Sequence, residues 1–306
     1  MERNEVLSDF LRARRAALEP ERVGLHDEAP RRVPGLRREE LAALAGVSVD
    51  YYTRLEQGRP ITPSESVLDA LADALQLDSA ERGYLHTVAR RPSGGRRRVA
   101  RTSQRVRPGI HALLAGLGDT PAFVMGRRTD ILATNRMARA LLADFGALPV
   151  RDRNAVLWIV LDETARSFFA EGWEKVASQF VGALRMDAAR YPDDPRTAEL
   201  VGHLSMRSER FRRWWAGQKV VQLTHDTKPV RHPIVGRMTL RTEALAFPGD
   251  TDQTLVTFLD DPGSPSDEAL RLLSVWAGRG PSAAEASTRP HDDGDPYGDR
   301  RHTDSG

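Results

Sequence analysis

The chain has 306 residues, 40% of them hydrophobic and 29% charged, with a net charge of only +2 and no cysteine. That length supports a sizeable core divided between two domains, and the lack of thiols excludes disulfides and thiolate metal centres. The longest apolar run, AVLWIVL from Ala155, is too short to span a bilayer, and the charged start MERNEVLSDF lacks the apolar core of a signal peptide, so the sequence predicts a soluble cytoplasmic protein with no membrane association.

Residues 4–89 read as five helices, at roughly 4–18, 37–45, 48–57, 64–76 and 79–89. Thr62-Pro63-Ser64-Glu65 has the spacing of a capping box with Pro at the first helical position, and Asp78-Ser79-Ala80-Glu81 repeats the device. Between them Val67, Leu68, Leu71 and Leu75 recur at helical spacing as one apolar stripe. The segment EPERVGLHDEAPRRVPG, between the first two helices, carries the Pro and Gly of a loop. Residues 1–89 set 12 Arg against 16 Asp and Glu, a balance of −4, whereas 90–107 hold eight Arg and no acid. With no apolar period, 90–108 reads as a basic linker.

Beyond the linker the pattern changes. PAFVMG from Pro121 and DILATN from Asp130 flank a polar RRT as the arms of a hairpin do, RMARALLADF returns to helical spacing, and 163–218 is mainly helical. Three strand-like runs follow, KVVQLT from Lys219, GRMTLRTEALAF from Gly236 and QTLVTFLD from Gln253, before SPSDEALRLLSVWA closes the region as a capped helix. In the second run the apolar positions pass from even (Met238, Leu240) to odd (Leu245, Phe247), which predicts a β-bulge near Thr242. The expected fold is therefore an all-α domain over 1–89, a linker over 90–108, and an α+β domain with an antiparallel sheet over 109–278. Residues 279–306 have almost nothing to bury and are expected to be disordered.

The stretch LAALAGVSVDYYTRLEQGRP at 41–60 joins two short helices at a tight corner. At 100° per residue, Ser48, Tyr52 and Leu55 gather on one side of the second helix, while Asp50, Thr53, Arg54 and Gln57 gather opposite, with Val49 at the edge. Ser48 caps the N-terminus, leaving that end to project. This is the arrangement in which a recognition helix enters the major groove. Its chemistry suits base edges: Arg54 donates two hydrogen bonds to guanine, Asp50 accepts from the cytosine amino group, and the methyls of Val49 and Thr53 touch a thymine methyl. Asp50 fits equally well as a carboxylate favoured by the helix dipole. Arg37 and Arg38, just before the preceding helix, sit where phosphates pass, and Arg59 and the linker residues Arg96, Arg97 and Arg98 join the DNA contacts.

FLRARR, LRREELAALAGVSVDYYTRLEQGR and the helix after them resemble the XRE-type helix-turn-helix of lambda-repressor-like proteins. With YPDDP at 191–195, VGHLSMRSERFRRWW from Val201, RHPIVGRMTL from Arg231, PGD at 248–250 and PGSPSDEALRLL from Pro262, the chain up to about residue 278 is similar to actinobacterial regulators with an MmyB-like ligand-binding domain. The resemblance implies that Arg15 pairs with Glu56 across the helical core and orients the recognition helix. It also implies a PAS-like second domain, with a cavity between sheet and helices that holds a small apolar molecule; one relative is taken to hold a fatty acid. The apolar candidates for that site are Phe123, Met125, Trp158, Phe168, Trp173, Trp214, Met238, Leu240 and Phe258, and the polar ones are Asn135, Arg231 and His232. Residue by residue, plain core packing accounts for each aromatic better than a ligand contact does. Thr134 stands where the family usually carries Trp.

No phosphate-cradling loop, nucleophile elbow or paired-His helix motif is present. His225 and His232 are weak as metal ligands with Pro229 between them, and the acid pairs Asp193-Asp194 and Asp260-Asp261 adjoin prolines as turn residues do. No catalytic residue, metal or cofactor is expected. The reading is a regulator that binds double-stranded operator DNA as a homodimer, its dimer contact in the second domain because residues 1–89 show no spare apolar face, and that senses a small apolar ligand. The rivals are a regulator whose second domain only mediates protein interaction, and an enzyme with a DNA-binding appendage. The acidic balance of 1–89 makes the linker the expected source of phosphate contacts, and the point where a movement of the second domain is felt. A variant with Arg96, Arg97 and Arg98 changed to Gln is expected to lower the slope of log affinity against log salt by about 0.9 per lost phosphate contact while base preference stays unchanged; an identical slope shows that the linker does not touch DNA.

Overall fold

A computed structural model describes residues 4–25, 34–90 and 104–278. Arg96, Arg97 and Arg98, and the tail expected to be disordered, lie outside the described residues.

The first part is helical throughout: α1 (Glu5–Ala17), α2 (Arg38–Leu44), α3 (Val49–Glu56), α4 (Glu65–Ala74) and α5 (Ser79–Ala89). Local chemistry sets most of these boundaries. The Asn4 side chain accepts from the Leu7 amide, the Ser48 hydroxyl from the Tyr51 amide, and Asp78 and Glu81 exchange hydrogen bonds as a reciprocal capping box, satisfying amides that have no intrahelical partner. The fourth helix differs from expectation. Ser64, not Thr62, is its cap, because the Ser64 hydroxyl reaches the Val67 amide, and Pro63 lies buried just ahead of the helix. Leu7, Phe10, Leu11, Tyr52, Leu55 and Leu71, all at most 2% exposed, are the centre of this core.

The second part opens with α6 (Pro108–Gly116), a hairpin of β1 (Ala122–Met125) and β2 (Ile131–Thr134), and α7 (Arg136–Leu141). Five further helices follow, α8 (Ala155–Leu161), α9 (Glu163–Phe169), α10 (Trp173–Arg190), α11 (Pro195–Arg207) and α12 (Glu209–Ala216). The chain then forms β3 (His225–His232), β4 (Gly236–Phe247) and β5 (Asp250–Leu259), and ends on α13 (Pro265–Gly278). One antiparallel sheet in the order β2-β1-β5-β4-β3 confirms the α+β class.

Two strand expectations are corrected. KVVQLT at 219–224 is not a strand; the strand is the next segment, HDTKPVRH, whose Pro229 is tolerated because β3 is at the edge of the sheet. Nor does a bulge interrupt β4 at Thr242, where pairing with β3 and β5 runs in register and the only irregularity lies between Ala246 and Phe247. The change of parity has another cause: the sheet is covered on both faces. Met238 and Leu240 face the main core with Phe123, Val256 and Phe258. Phe247 packs on the opposite side with Ile110, Leu114, Val124 and Leu255, where α6 supplies the cover, while Leu245 stays exposed. The end of the expected linker belongs to that cover: Val106 packs in the same cluster, and Gln104 Oε1 accepts from the Arg127 amide.

The turn of the hairpin is fastened to the helices by charge. Arg127 and Arg128 donate to Asp194 Oδ2 at 2.6 and 2.5 Å, and the Arg127 guanidinium lies 3.5 Å from the centre of the Tyr191 ring. Tyr191 and Asp194 are the ends of the YPDD run, so that motif is spent on holding the hairpin to α10 and α11. Beside it, burial pushes the Asp187 carboxyl up to about 6 against the pull of Arg127 and Arg128.

Gly35, which leads into α2, has φ +71° and would place a Cβ 2.3 Å from the Arg15 carbonyl oxygen, whereas Gly46 (φ +65°) faces open space. Both substitutions to Ala incur left-handed strain, about 1 kcal/mol at the lower end, and Gly35→Ala adds a backbone collision, for a loss on the order of 3 kcal/mol or more. Denaturant midpoints of the two variants check this; equal losses would show that the α1–α2 approach is not tight.

Candidate functional site

The second helix of the corner, α3, is anchored from beneath by Tyr52, Leu55 and Glu56, which are 0%, 1% and 1% exposed. The Glu56 carboxylate is the unusual member, for a buried charge is costly unless paired. Arg15 Nε donates to its Oε1 at 2.7 Å, Arg38 Nε donates to Oε2, and the Tyr52 hydroxyl lies 3.4 Å from Oε1. Arg15 Nη1 also donates to the Leu36 carbonyl at 2.6 Å, and Ser8 donates to the Glu56 carbonyl at 2.5 Å. Three helices, α1, α2 and α3, thus meet at one residue. The hydrogen bond and charge of Glu56 raise the Arg38 guanidinium, and burial, then the charge of Glu56, raise the Tyr52 phenol.

With its underside fixed, α3 turns the expected set outward. Ser48, Val49, Asp50 and Arg54 are exposed and Thr53 is half-buried. Arg54 Nη1 lies 3.9 Å from Asp50 Oδ2, one turn away, a pairing weak enough for a base edge to replace it. Arg38 and Arg59 are exposed and Arg37 is half-buried. Arg38 therefore has two attachments available: Nε engages Glu56, while about half of its side chain is open to solvent.

In the second domain an apolar cavity of ≈ 80 Å³ lies between the sheet and α8 to α10. Of the sequence-predicted set, the structure brings Phe123, Trp158 and Phe258 to its wall. The others are elsewhere. Met125, Phe168, Met238 and Leu240 are buried in the surrounding core, and Trp173, whose Nε1 donates to the Ile159 carbonyl at 2.7 Å, packs edge-on against Trp214. Asn135 caps α7: its Oδ1 accepts from the Ala122 and Ala138 amides and its Nδ2 donates to the Thr120 carbonyl. Arg231 lines a separate open groove. Burial holds the His232 imidazole below its usual range, with Nε2 donating to Ala140 O and Nδ1 accepting from the Ile234 amide.

Sequence reasoning missed the polar end of the cavity, formed by Gln179, Asp226, Lys228 and Thr242. Lys228 Nζ lies 3.1 Å from Thr242 Oγ1 and 3.3 Å from Asp226 Oδ2; Gln179 Nε2 donates to Asp226 at 3.2 Å, and Lys175 approaches its other oxygen at 3.5 Å. Burial lowers the Lys228 ammonium despite Asp226. Burial also raises the Asp226 carboxyl, but Lys228 and the Gln179 hydrogen bond outweigh it and leave the group below its ordinary value. Gln179 Oε1 is buried with no partner among the described residues. A signal was present in the composition: only three of the 45 basic residues are Lys, and two of them converge on Asp226.

A helix-turn-helix with an exposed polar second helix, joined to a sheet-and-helix domain with an internal cavity, defines a DNA-binding regulator with a separate ligand-binding module. A family model for a helix-turn-helix domain matches residues 6–85, and one described as an MmyB-like transcription regulator ligand binding domain matches residues 106–273, more than half of the chain. The chain belongs to the MmyB-like transcription regulators. Comparison with curated proteins gives no match. Among the described residues no helix is long and apolar enough to cross a membrane.

Removing one partner of a buried ion pair costs about 3–5 kcal/mol because it strands the other charge. Glu56→Ala is therefore expected to lower the thermal stability of the helical domain as well as its DNA affinity, whereas Arg54→Ala leaves stability within about 0.5 kcal/mol of wild type. Calorimetry checks the split; a Glu56→Ala protein of unchanged stability would remove Glu56 as the anchor of α3.

Proposed function

We propose that this is a cytoplasmic, homodimeric regulator that reads operator DNA with α3, and whose PAS-like second domain is controlled by a small apolar ligand of fatty-acid type. The observation that carries the DNA half is the α3 surface: Asp50 and Arg54, with side chains 82% and 47% exposed, stand above a fully buried Glu56 that is tied to α1 and α2. Arg54 contacts guanine, Asp50, Val49 and Thr53 contact neighbouring bases, Ser48 sets the leading end, and Arg37, Arg38, Arg59 and linker arginines including Arg96, Arg97 and Arg98 contact phosphates.

The ligand half is supported by the chemistry of the cavity. Phe123, Trp158 and Phe258 offer an apolar wall, while Lys228 and the unpartnered Gln179 Oε1 offer a donor and an acceptor at one end. An aliphatic chain suits the apolar wall, and a carboxylate head would accept from Lys228. A second reading, in which this domain only mediates protein interaction, is favoured by one observation: Leu272, Val275 and Trp276, all more than half exposed, form a stripe along α13. A homodimer contact there accommodates both readings. No observation favours the enzyme reading.

Selection of binding sites from random duplexes, using the full chain, tests the DNA half. Arg54→Ala is expected to weaken binding to the selected site by roughly 1–3 kcal/mol and to relax preference at one base pair; an unaltered site preference would overturn the assignment. Native mass spectrometry of the purified protein separates a tightly held lipid from a domain that only associates.

A further inference from the structure

The helical domain and the second domain are joined by more than the linker. After α12 the chain runs through residues 217–224 without forming a helix or strand. Its first part touches the DNA-binding domain: Arg14 of α1 donates to the Gly217 carbonyl at 3.2 Å, and Val220, 2% exposed, is buried in the apolar core of the helical domain together with Ala189 of α10. Its second part, Val221 to Thr224, is a wall of the cavity. The core that supports α3 and the wall that a ligand would press are therefore lined by adjacent residues. Arg185 of α10 holds the root of the segment, donating to Gln218 Oε1 at 2.6 Å and to the Trp215 carbonyl, with its guanidinium 4.2 Å from the centre of the Trp215 ring.

The cavity measures ≈ 80 Å³, against about 300–1,000 Å³ for pockets that enclose a small-molecule ligand. An aliphatic chain enters only if a wall gives way. The sheet wall is held by paired strands and the helical wall by regular backbone bonding. Among the described residues, 219–223 make no backbone–backbone hydrogen bond, and the segment is attached to the sheet through the Ala244 amide donating to Thr224 O at 2.7 Å. The wall with the fewest internal bonds opens at least cost. Adjacent Cα atoms are fixed about 3.8 Å apart, so an outward shift of Val221 pulls on Val220.

We propose that residues 217–224 are a strap that transmits occupation of the cavity to the DNA-binding domain by drawing Val220 out of the helical core; this rests on the reading of the cavity as a ligand site. The strap, rather than the arginine-rich linker, is then the point at which the second domain is felt. Gly182 of α10 gives access to the device without any ligand. A Cβ built there lies 3.0 Å from both Val221 N and Val221 Cγ2, so Gly182→Ala displaces the strap at Val221, a residue of the cavity wall.

Amide hydrogen exchange of the full chain tests this. In Gly182→Ala, the amides of α5, which packs against α10, are expected to exchange at least about fivefold faster than in wild type, while α7 and α13 are unchanged. Unchanged exchange in α5, or equally faster exchange in α5, α7 and α13, would overturn the proposal. Val221→Ile, which adds one methylene at the same contact, is expected to produce the same pattern and takes the place of Gly182→Ala if that variant does not fold. In a second arm, wild type is exposed to dodecanoate and binding is scored by native mass. Bound dodecanoate is expected to reproduce the faster exchange in α5, and Val220→Ala to lose that response. Dodecanoate bound without any effect on α5 would sink the strap; failure of dodecanoate to bind would count against the ligand reading alone, with the Gly182→Ala pattern still deciding the strap.

Discussion

A single buried carboxylate sets the position of α3 against α1 and α2. Glu56 is at the end of α3, with its side chain fully enclosed, and an ionised group in that place is tolerated only because Arg15 and Arg38 bring two opposite charges to its two oxygens. The arrangement is directional in a way that apolar packing is not. Tyr52 and Leu55 fix which face of α3 is buried, while the paired guanidinium groups fix its rotation and its distance from α1 and α2. Asp50 and Arg54 are held above the surface by a charge network they do not join.

Where the sequence is informative, the information is local. Ser48 and the Asp78/Glu81 box mark helix starts because a cap acts within one turn, and the apolar stripe through Leu68, Leu71 and Leu75 marks a face because helical period is a property of the segment itself. The sequence misleads where a residue's partner lies far along the chain. KVVQLT has the composition of a strand, but its apolar residues serve two other surfaces, Val220 the helical domain and Val221 and Leu223 the cavity. HDTKPVRH lacks a strand's apolar period because only Val230 and His232 are buried in it, as suits a strand with one neighbour. The parity change in β4 is real but does not signal a bulge, since a cover on the second face of the sheet explains it without an extra residue.

The cavity is the least legible part for the same reason. Among the aromatics that the sequence offers, Phe123, Trp158 and Phe258 line it, and the others belong to the surrounding core. Asn135 has the polarity of a ligand contact, yet it is consumed in capping α7 and bridging the hairpin. Lys228, a lone Lys beside Pro, has the local signature of a solvated turn. Its burial depends on Thr242 and Asp226, which are brought to it by strand pairing that no short segment encodes.

Helix α10 has a consequence for what counts as one structural unit. Gln179 and Phe180 near its middle face the cavity, Asp187 meets the hairpin arginine Arg127, and Met186 and Ala189 pack into the helical core. A continuous helix is a stiff rod, so a shift at one of these contacts is carried along it to the others. The boundary seen in the sequence, at the arginine-rich stretch, is therefore a boundary of chain that packing crosses. Cutting there would leave the five-helix bundle with an uncovered apolar seam where Val220 and Ala189 had been, so the helical domain draws part of its stability from the domain that follows it in the chain.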